Sequence, residues 1–242
     1  MAKFLWHQAV KIMMKNVVKV TTLGGGYGSG VIVPTPKNAP GNCCVLTAYH
    51  VVANAFVSGA TLEIEMALSH EKIRVASLTR NIFIAKERDQ ALIIFSLPSP
   101  TCFGEPNSYA MLEQDKHYIQ GVELGWLGYP CLEVAKDNVC FLHGWVSAYL
   151  EKEESYLVDG SSIHGVSGGP VFCCDDAGSV VLAGIVTNYF PNEVGNQYTG
   201  KQAWPGLAMF RTINPLMKLY AQSEKQSQPL IPTTATSLNE AD

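Results

Sequence analysis

Short apolar runs separated by turn residues fill most of the chain. From residue 17 onward, runs rich in valine, isoleucine, leucine and threonine alternate with segments that contain glycine, proline or asparagine. Several short strands at such spacing are typical of an antiparallel sandwich or barrel. The runs fall into two series: VVKVTT, GSGVIVP, CCVLTAYHVV, TLEIEMAL, KIRVASLT and ALIIFSL, then GVELGWLGYP, VCFLHGWVSAYL, SYLVDG, PVFCC, SVVLAGIVTNY and GLAMFRTI.

Breaks in this pattern divide the chain. The stretch PSPTCFGEPNSYA (98–110) contains three prolines and separates the two series, so it is interpreted as a linker. Asn214 followed by Pro215 is typical of a helix start, and the polar segment beyond that helix lacks periodicity. The sequence therefore predicts an all-β protein with two antiparallel β-barrels and a helix at each end. The predicted ranges are 1–15 for the N-terminal helix, 16–98 for the first barrel, 99–110 for the linker, 111–222 for the second barrel with the C-terminal helix, and 223–242 for a disordered tail.

The first fifteen residues combine a basic stripe with apolar positions. Lys3, His7, Lys11 and Lys15 recur every four residues, which places them along one face of a helix. Such a helix either packs its apolar side on the protein's own barrel, which is the simpler interpretation, or lies on an anionic membrane surface or a partner. No apolar run reaches the roughly 18 residues that a membrane span needs, and the segment does not resemble a secretory signal.

Composition narrows the classes of function. Hydrophobic residues make up 47% of the chain and charged ones 16%, so most of it can contribute to a core, and the net charge of −4 argues against a nucleic-acid partner. The six histidines show no metal-ligand spacing such as HExxH, so neither a metal nor another cofactor is predicted. The seven cysteines are odd in number and include two adjacent pairs, which favours reduced thiols and a cytoplasmic protein.

The segment IHGVSGGPVF (163–172) concentrates three glycines and a proline around Ser167. Glycine costs backbone entropy, so this density needs a reason. Acyl transfer supplies one, because the oxyanion that it forms is stabilised by fixed N–H donors. With the sharp turn that these glycines allow, the backbone N–H groups of Gly165 and Ser167 can both point into one pocket. Ser167 is therefore a candidate nucleophile beside an oxyanion hole.

A serine nucleophile requires a base and an acid that orients the base. His50, in the apolar run VLTAYHVV, is the best candidate for the base, since an imidazole ordinarily titrates near pH 6.5. Asp89, just before the run ALIIF, is the best candidate for the acid. Taken singly, His50 is more typical of a packed core histidine, and Asp89 of a solvated turn or cap residue. Because Ser167 falls in the second series, the predicted site is the cleft between the two barrels.

Seven motifs follow one another along the chain, and their order together is more specific than any one of them. They are GSGVIV (28–33), LTAYHVV (46–52), DQALI (89–93), LGYP (127–130), GVSGGPV (165–171), GIVTN (184–188) and GLAMF (206–210). On these motifs the chain resembles the chymotrypsin-fold, trypsin-like serine proteases, and most closely the HtrA-type protease domain. The resemblance covers about residues 16–222 and implies a catalytic triad of His50, Asp89 and Ser167. Val166 stands where digestive relatives have an aspartate, and no PDZ-like domain follows.

The resemblance also implies a pocket for the residue on the acyl side of the cleaved bond. No carboxylate stands at Ser161 and Tyr189 narrows the slot, so small or medium uncharged side chains are expected, with an acidic residue drawn by His164 as the alternative. The loop 188–205 is expected to help hold an extended substrate, or else only to pack its aromatic side chains on the barrel. The implied floor and mouth are Ser161, Ser162, Ile163 and His164, and the implied wall is Thr187, Asn188 and Tyr189.

Two functions from different classes follow. The first is a serine endopeptidase that acts on protein or peptide substrates through an acyl-enzyme. The second is a binding or regulatory protein of the same fold, whose triad stays idle until a partner engages it. A homo-oligomer or a regulatory partner is compatible with either function.

Overall fold

Two seven-stranded sheets, formed by the two halves of the chain, make up most of the protein. A computed structural model describes residues 6–35, 41–97, 103–112, 117–133, 135, 137–175, 177–196 and 200–213. The all-β fold predicted from the apolar runs is confirmed. The first sheet contains β1 (Val17–Thr22), β2 (Tyr27–Val33), β3 (Asn42–Ala48), β4 (Leu62–Met66), β5 (Lys72–Val75), β6 (Arg80–Ala85) and β7 (Gln90–Ser96). The second contains β8 (Ala110–Met111), β9 (Glu123–Gly128), β10 (Cys140–Leu150), β11 (Ser155–Asp159), β12 (Pro170–Cys174), β13 (Val180–Asn196) and β14 (Gly200–Thr212).

The first sheet is an open half-barrel. Its strands follow the order β5-β4-β1-β2-β3-β7-β6, and within the described residues the outer strands β5 and β6 are not paired with each other. In β4 the buried side chains are Leu62, Ile64 and Met66, while the glutamates between them lie on the outer face. This period of two is the alternation from which a half-buried strand is predicted.

The second sheet closes into a barrel. Its order is β12-β9-β10-β11-β14-β13-β8, and an additional pairing between β12 and β13 joins six of the strands into a ring. Strand β8 is added in parallel to β13, outside that ring. The barrel is filled by aromatic side chains: Trp126 and Tyr156 are buried, and the ring of Tyr156 stacks on that of Phe210 with centroids 4.7 Å apart.

A further apolar cluster lies between the two sheets. It joins Leu46 and Leu92 of the first sheet to Phe172 and Ile185 of the second, and all four side chains are fully buried. Burying one such side chain stabilises a fold by about 1.5–3 kcal/mol. The interface between the two modules is therefore part of the hydrophobic core.

Helix α1 (Trp6–Met13) packs on this interface. The Trp6 ring lies 5.3 Å from that of Phe141 and 5.9 Å from that of Phe172, centroid to centroid. Met13 is fully buried, whereas Lys11 is exposed. A 3₁₀ turn then leads from the helix into β1. Helix α1 thus packs its apolar side on the protein's own second sheet, as in the simpler of the two interpretations, and residues 1–5 of the predicted helix lie outside the described residues.

Some elements differ from their prediction. The run CCVLTAYHVV predicts one strand, but β3 ends at Ala48 and helix α2 (Tyr49–Ser58) follows at once. Strand β6 corresponds to no predicted run. The predicted loop 188–205 is instead a continuation of the ladder between β13 and β14, paired as far as Asn196 and Gly200.

Other predicted segments are described only in part or not at all. In the predicted linker, Phe103 and Tyr109 are buried, and β8 begins at its last residue. The beginning of that linker, the predicted C-terminal helix and the predicted tail lie outside the described residues.

Candidate active site

His50 lies in the first turn of helix α2, directly after strand β3. The helix has no side-chain cap at Ala48. Asp89 supplies the acceptors instead: its backbone oxygen accepts the N–H of Tyr49 at 3.1 Å, and its Oδ1 accepts the backbone N–H of His50 at 2.9 Å. The first N–H groups of a helix have no intrahelical acceptor. Asp89 therefore caps the helix and fixes the backbone of His50 at the same time.

A second bond joins the side chains of His50 and Asp89. The distance between His50 Nδ1 and Asp89 Oδ2 is 2.7 Å. A carboxylate only accepts hydrogen bonds, so Nδ1 carries the proton of this bond, and in the neutral imidazole Nε2 is then the unprotonated nitrogen. Asp89 has the left-handed backbone conformation, with φ 50° and ψ 45°, which aspartate tolerates better than most residues. The pair thus presents the tautomer that a general base requires.

The segment around Asp89 is also fastened to the second sheet. Arg88 forms an ion pair with Glu154, in the turn between β10 and β11. Burial lowers the pKa of the Arg88 guanidinium from its ordinary value. On the other side, Gln90 Nε2 donates to the backbone oxygen of Thr212 at 2.9 Å. Both modules therefore position the candidate acid.

Ser167 lies in a turn that precedes β12 and that only glycine permits. Gly165 and Gly168 have φ values of 94° and 84°. A Cβ at Gly165 would lie 2.3 Å from the backbone oxygen of Tyr129, and one at Gly168 would lie 2.1 Å from that of Ser29. The glycines in IHGVSGGPVF are thus required both by backbone conformation and by the close approach of neighbouring chain.

Two backbone N–H groups of this turn have no acceptor among the described residues. The carbonyl of His164, in the peptide before Gly165, accepts the N–H of Cys131 at 2.5 Å. The carbonyl of Val166, in the peptide before Ser167, accepts the N–H of Gly169 at 2.9 Å. In a trans peptide the N–H points opposite to the C=O. The N–H groups of Gly165 and Ser167 donate to no acceptor in the part of the chain that the structure describes.

One cleft of about 870 Å³ brings the predicted residues together. The structure forms no hydrogen bond between Ser167 and His50; such bonds commonly shorten only when substrate binds. Ser161 is exposed and does not line the cleft, and the Gly165 residue lies outside its lining as well. The lining residues are His50, Asp89, Ser162, Ile163, His164, Ser167, Thr187, Asn188 and Tyr189.

Tyr189 is fixed on one side of this cleft. Its hydroxyl accepts the N–H of Gly206 across the hairpin at 3.0 Å, and its own N–H donates to Asn188 Oδ1 at 2.8 Å. Thr187 beside it is buried, and its hydroxyl has no hydrogen-bond partner among the described residues. Among the described lining residues, the single carboxylate belongs to Asp89, which is bonded to His50. This described part of the lining therefore offers no free negative charge to a basic side chain.

Cys131, which the sequence does not single out for this role, supports the nucleophile turn from the loop after β9. It follows Pro130, whose backbone oxygen accepts the hydroxyl of Tyr27 at 3.2 Å. Burial, together with contact with Cys131, raises the pKa of Tyr27 to about 12. The phenol therefore keeps its proton at neutral pH and ties this loop to the first sheet.

Other chemistry-bearing groups do not cluster. Among the described residues, no three or more His, Cys, Asp or Glu side chains are arranged to hold a metal ion. The six described cysteines are free thiols, and burial raises the pKa of both Cys43 and Cys173. No helix in the described ranges is long and apolar enough to cross a membrane.

Solved structures of three other proteins resemble this chain at low sequence identity. An inactive mutant form of Rv3671c from M. tuberculosis H37Rv matches with 16% identity and a TM-score of 0.52, covering 88% of this chain and 90% of that one. The scabies mite inactivated protease paralogue S-I1 matches with 14% identity and a TM-score of 0.61, over 89% and 96% of the two chains. The thermostable serine protease AL20 from an extremophilic microorganism matches with 14% identity and a TM-score of 0.57, over 88% and 97%. No protein-family model and no curated protein matches the sequence.

These likenesses show the fold. The chain has the chymotrypsin-like fold that trypsin-like serine proteases share, as the ordered motifs predict. Two of the three neighbours are inactive forms, so the fold alone does not assign an activity. The narrower resemblance to HtrA-type domains stays a prediction.

Proposed function

We propose that the protein is a serine endopeptidase in which Ser167 is the nucleophile, His50 the general base and Asp89 the residue that orients the base. The observation that carries this proposal is the cleft that Ser167 shares with His50, whose side chain is bonded to that of Asp89 at 2.7 Å. The N–H groups of Gly165 and Ser167, which have no acceptor among the described residues, provide two donors for an oxyanion. The substrate is a protein or a peptide, and acyl transfer by such a triad uses no cofactor.

The reaction proceeds through an acyl-enzyme. Ser167 Oγ attacks the carbonyl carbon of the scissile bond and passes its proton to His50 Nε2. The N–H groups of Gly165 and Ser167 stabilise the oxyanion that forms. His50 then returns the proton to the leaving amine as the C–N bond breaks, which leaves an ester on Ser167. A water molecule that His50 deprotonates hydrolyses this ester and restores the free serine.

The proposed preference is for small or medium uncharged side chains on the acyl side of the bond. It is supported by Tyr189, whose hydroxyl accepts the N–H of Gly206, and by the absence of a free carboxylate from the described residues that line the cleft. The edge of β13 beyond Val186, on the side away from β14, has no partner strand among the described residues. An extended substrate can therefore add to this edge as a further strand.

The variant Tyr189→Gly tests this preference. With the ring removed, kcat/KM for a peptide with phenylalanine at the cleavage site should rise by about 10–100-fold relative to one with valine. Phe190→Ala is the matched control, because Phe190 is half-exposed and does not line the cleft. A library in which the unaltered protein cuts mainly after lysine or arginine would refute the preference, and cutting after aspartate or glutamate would favour the alternative that His164 sets it.

The second candidate is a latent or partner-activated protein of the same fold. The missing hydrogen bond between Ser167 and His50 favours it, because a serine that is not hydrogen-bonded to its base is weakly reactive. Binding of a partner would then have to close this gap before any peptide is cut.

Labelling with a fluorophosphonate separates the two candidates. The purified protein should react at Ser167, and Ser167→Ala should abolish the label without changing the circular dichroism spectrum. A folded native protein that takes up no label would exclude a constitutive endopeptidase. Label that appears only after a partner or a ligand is added would establish the latent form.

A further inference from the structure

Ser29 is a buried residue of the first sheet whose side chain binds two backbone groups of the second. It lies in β2 and its exposed fraction is 0%. Its Oγ donates to the carbonyl of Gly165 at 2.7 Å and accepts the N–H of Tyr129 at 2.8 Å. Its own N–H donates to the carbonyl of Ser167 at 2.8 Å. A single residue therefore holds two carbonyls of the nucleophile turn from the opposite module.

The carbonyl of Gly165 belongs to the peptide that joins the two N–H donors of the proposed oxyanion hole. A peptide is planar, so fixing its oxygen fixes the orientation of the whole unit. Gly165 itself, with φ 94° and no side chain, offers little resistance to rotation. The bond from the Ser29 hydroxyl to the Gly165 carbonyl supplies that resistance. The two neighbouring peptides, whose N–H groups are free, are restrained with it.

The surroundings of Ser29 make this bond hard to replace. A Cβ at Gly128 would lie only 2.8 Å from Ser29 Oγ, which shows how closely the chain packs there. Thr47 Oγ1 donates to the backbone oxygen of Ser29 at 2.7 Å and fixes the residue from its other side. Loss of the hydroxyl would leave the Gly165 carbonyl and the Tyr129 N–H buried without partners.

We propose that Ser29 is a positioning residue that keeps the oxyanion hole of the nucleophile turn in its working geometry. The inference rests on the proposed endopeptidase function. Interactions of an oxyanion hole become strong only in the transition state, so loss of the Ser29 hydroxyl affects turnover rather than substrate binding. A residue with a merely structural role would lower stability and leave turnover per folded molecule unchanged.

The variant Ser29→Ala tests this role. It should lower kcat by about 10- to 100-fold and leave KM within about twofold of the native value. The affinity for a peptide boronic acid, whose tetrahedral adduct on Ser167 places an oxygen in the hole, should fall by the same factor as kcat/KM. The affinity for an unreactive peptide of the same sequence should stay the same.

Tyr109→Phe is the matched control. The Tyr109 hydroxyl is also buried and donates to a backbone oxygen, that of Ile32, at 2.5 Å, but it does not line the cleft. This variant loses a comparable bond, so the melting temperature should fall similarly while kcat is unchanged. A loss of kcat in Ser29→Ala no greater than in Tyr109→Phe overturns the inference. If Ser29→Ala does not fold, the same kinetic constants, affinities and melting temperature are measured for Ser29→Cys, whose thiol is a weak donor.

Amide hydrogen exchange gives a readout that needs no activity. The N–H groups of Cys131 and Val166 donate to carbonyls within the nucleophile turn, at 2.5 and 3.1 Å. In Ser29→Ala both should exchange faster relative to amides of strand β10, and in Tyr109→Phe they should not. Unchanged exchange overturns the inference. Faster exchange in a protein whose native form neither cleaves peptides nor reacts with fluorophosphonate supports the role of Ser29 and refutes the proposed function.

Discussion

The two halves of the candidate site are held by different means. In the first sheet, His50 and Asp89 are joined by a backbone bond of 2.9 Å and a side-chain bond of 2.7 Å. In the second, Ser167 is positioned through the main chain of its turn, by left-handed glycines and by two carbonyls that accept the N–H and the hydroxyl of Ser29. The base half is therefore a preassembled pair of side chains, and the nucleophile half is a turn whose shape depends on the opposite module. Side-chain substitutions should dominate in the first half and backbone substitutions in the second.

The largest effect is expected in the base half. His50→Ala should lower kcat by about six orders of magnitude and Asp89→Asn by about four. In Asp89→Asn the amide oxygen can still accept the backbone N–H of His50 and cap helix α2. The amide NH₂ then faces Nδ1 and favours the tautomer with its proton on Nε2, which cannot act as a base. Turnover of a chromogenic peptide measures both losses.

The helix content and melting temperature of Asp89→Asn are the internal control, since the cap is retained. A folded Asp89→Asn variant with kcat within tenfold of the native value would contradict the role given to the pair, because about four orders are expected when the tautomer is wrong. The base half would then depend less on its side-chain hydrogen bonds than the contrast between the two halves implies.

The same contrast explains which parts of the site the sequence predicts. The three candidate residues His50, Asp89 and Ser167 can be found because each lies beside an apolar run or among glycines, where local pattern is informative. Helix α2 cannot be found in this way, because its cap is Asp89, 39 residues further along the chain. Its valines also continue the strand-like pattern of β3. Local sequence pattern therefore identifies the candidate residues but not helix α2, on which His50 lies.

Two further features of the structure escape prediction from local pattern. The extension of β13 and β14 contains proline, glycine and asparagine, which ordinarily indicate a loop, yet the two strands pair as far as Asn196 and Gly200. Ser29 stands in a motif that predicts only a strand, and its side-chain partner Gly165 is 136 residues away. The inward and outward alternation of β4, by contrast, depends on nothing beyond the strand itself.

A backbone substitution should have its largest effect in the nucleophile half. Gly165→Ala should lower kcat by about 100- to 1,000-fold, the loss seen when one oxyanion donor is removed. The new Cβ would lie 2.3 Å from the backbone oxygen of Tyr129 in a residue with φ 94°. The turn must therefore shift, and the free N–H groups shift with it. Steady-state kinetics on the folded variant measure the loss.

Gly178→Ala separates this displacement from backbone strain. Gly178 has φ 85°, and a Cβ there would have nothing within 4 Å. Both variants bear a conformational cost of about 1 kcal/mol, but only Gly165→Ala adds a clash beside Ser167. Equal kcat in the two variants would show that the turn tolerates displacement, and the main-chain account of the nucleophile half would fail.

The smallest effect on turnover is expected from the N-terminal helix, although it contacts the second sheet directly. Trp6 packs on Phe141 and Phe172, and Phe172 lies in β12, the strand that follows the nucleophile turn. Trp6→Ala should lower the free energy of unfolding by about 2–4 kcal/mol, because the ring leaves a gap in the interface. His7→Ala is the control, since His7 is exposed on the same helix and should change stability little.

In Trp6→Ala, kcat per titrated active site should stay within about twofold of the native value. The reason is that the nucleophile turn is restrained by bonds to Ser29 and Cys131, neither of which involves the helix, and packing losses far from such bonds combine with them additively. Denaturant unfolding gives the stability and fluorophosphonate titration gives the number of intact sites. If kcat fell with the stability while the titrated sites stayed intact, the packing of β12 would be shaping the turn. The nucleophile half would then extend through the barrel to the N-terminal helix, and the base half would be the only locally assembled part of the site.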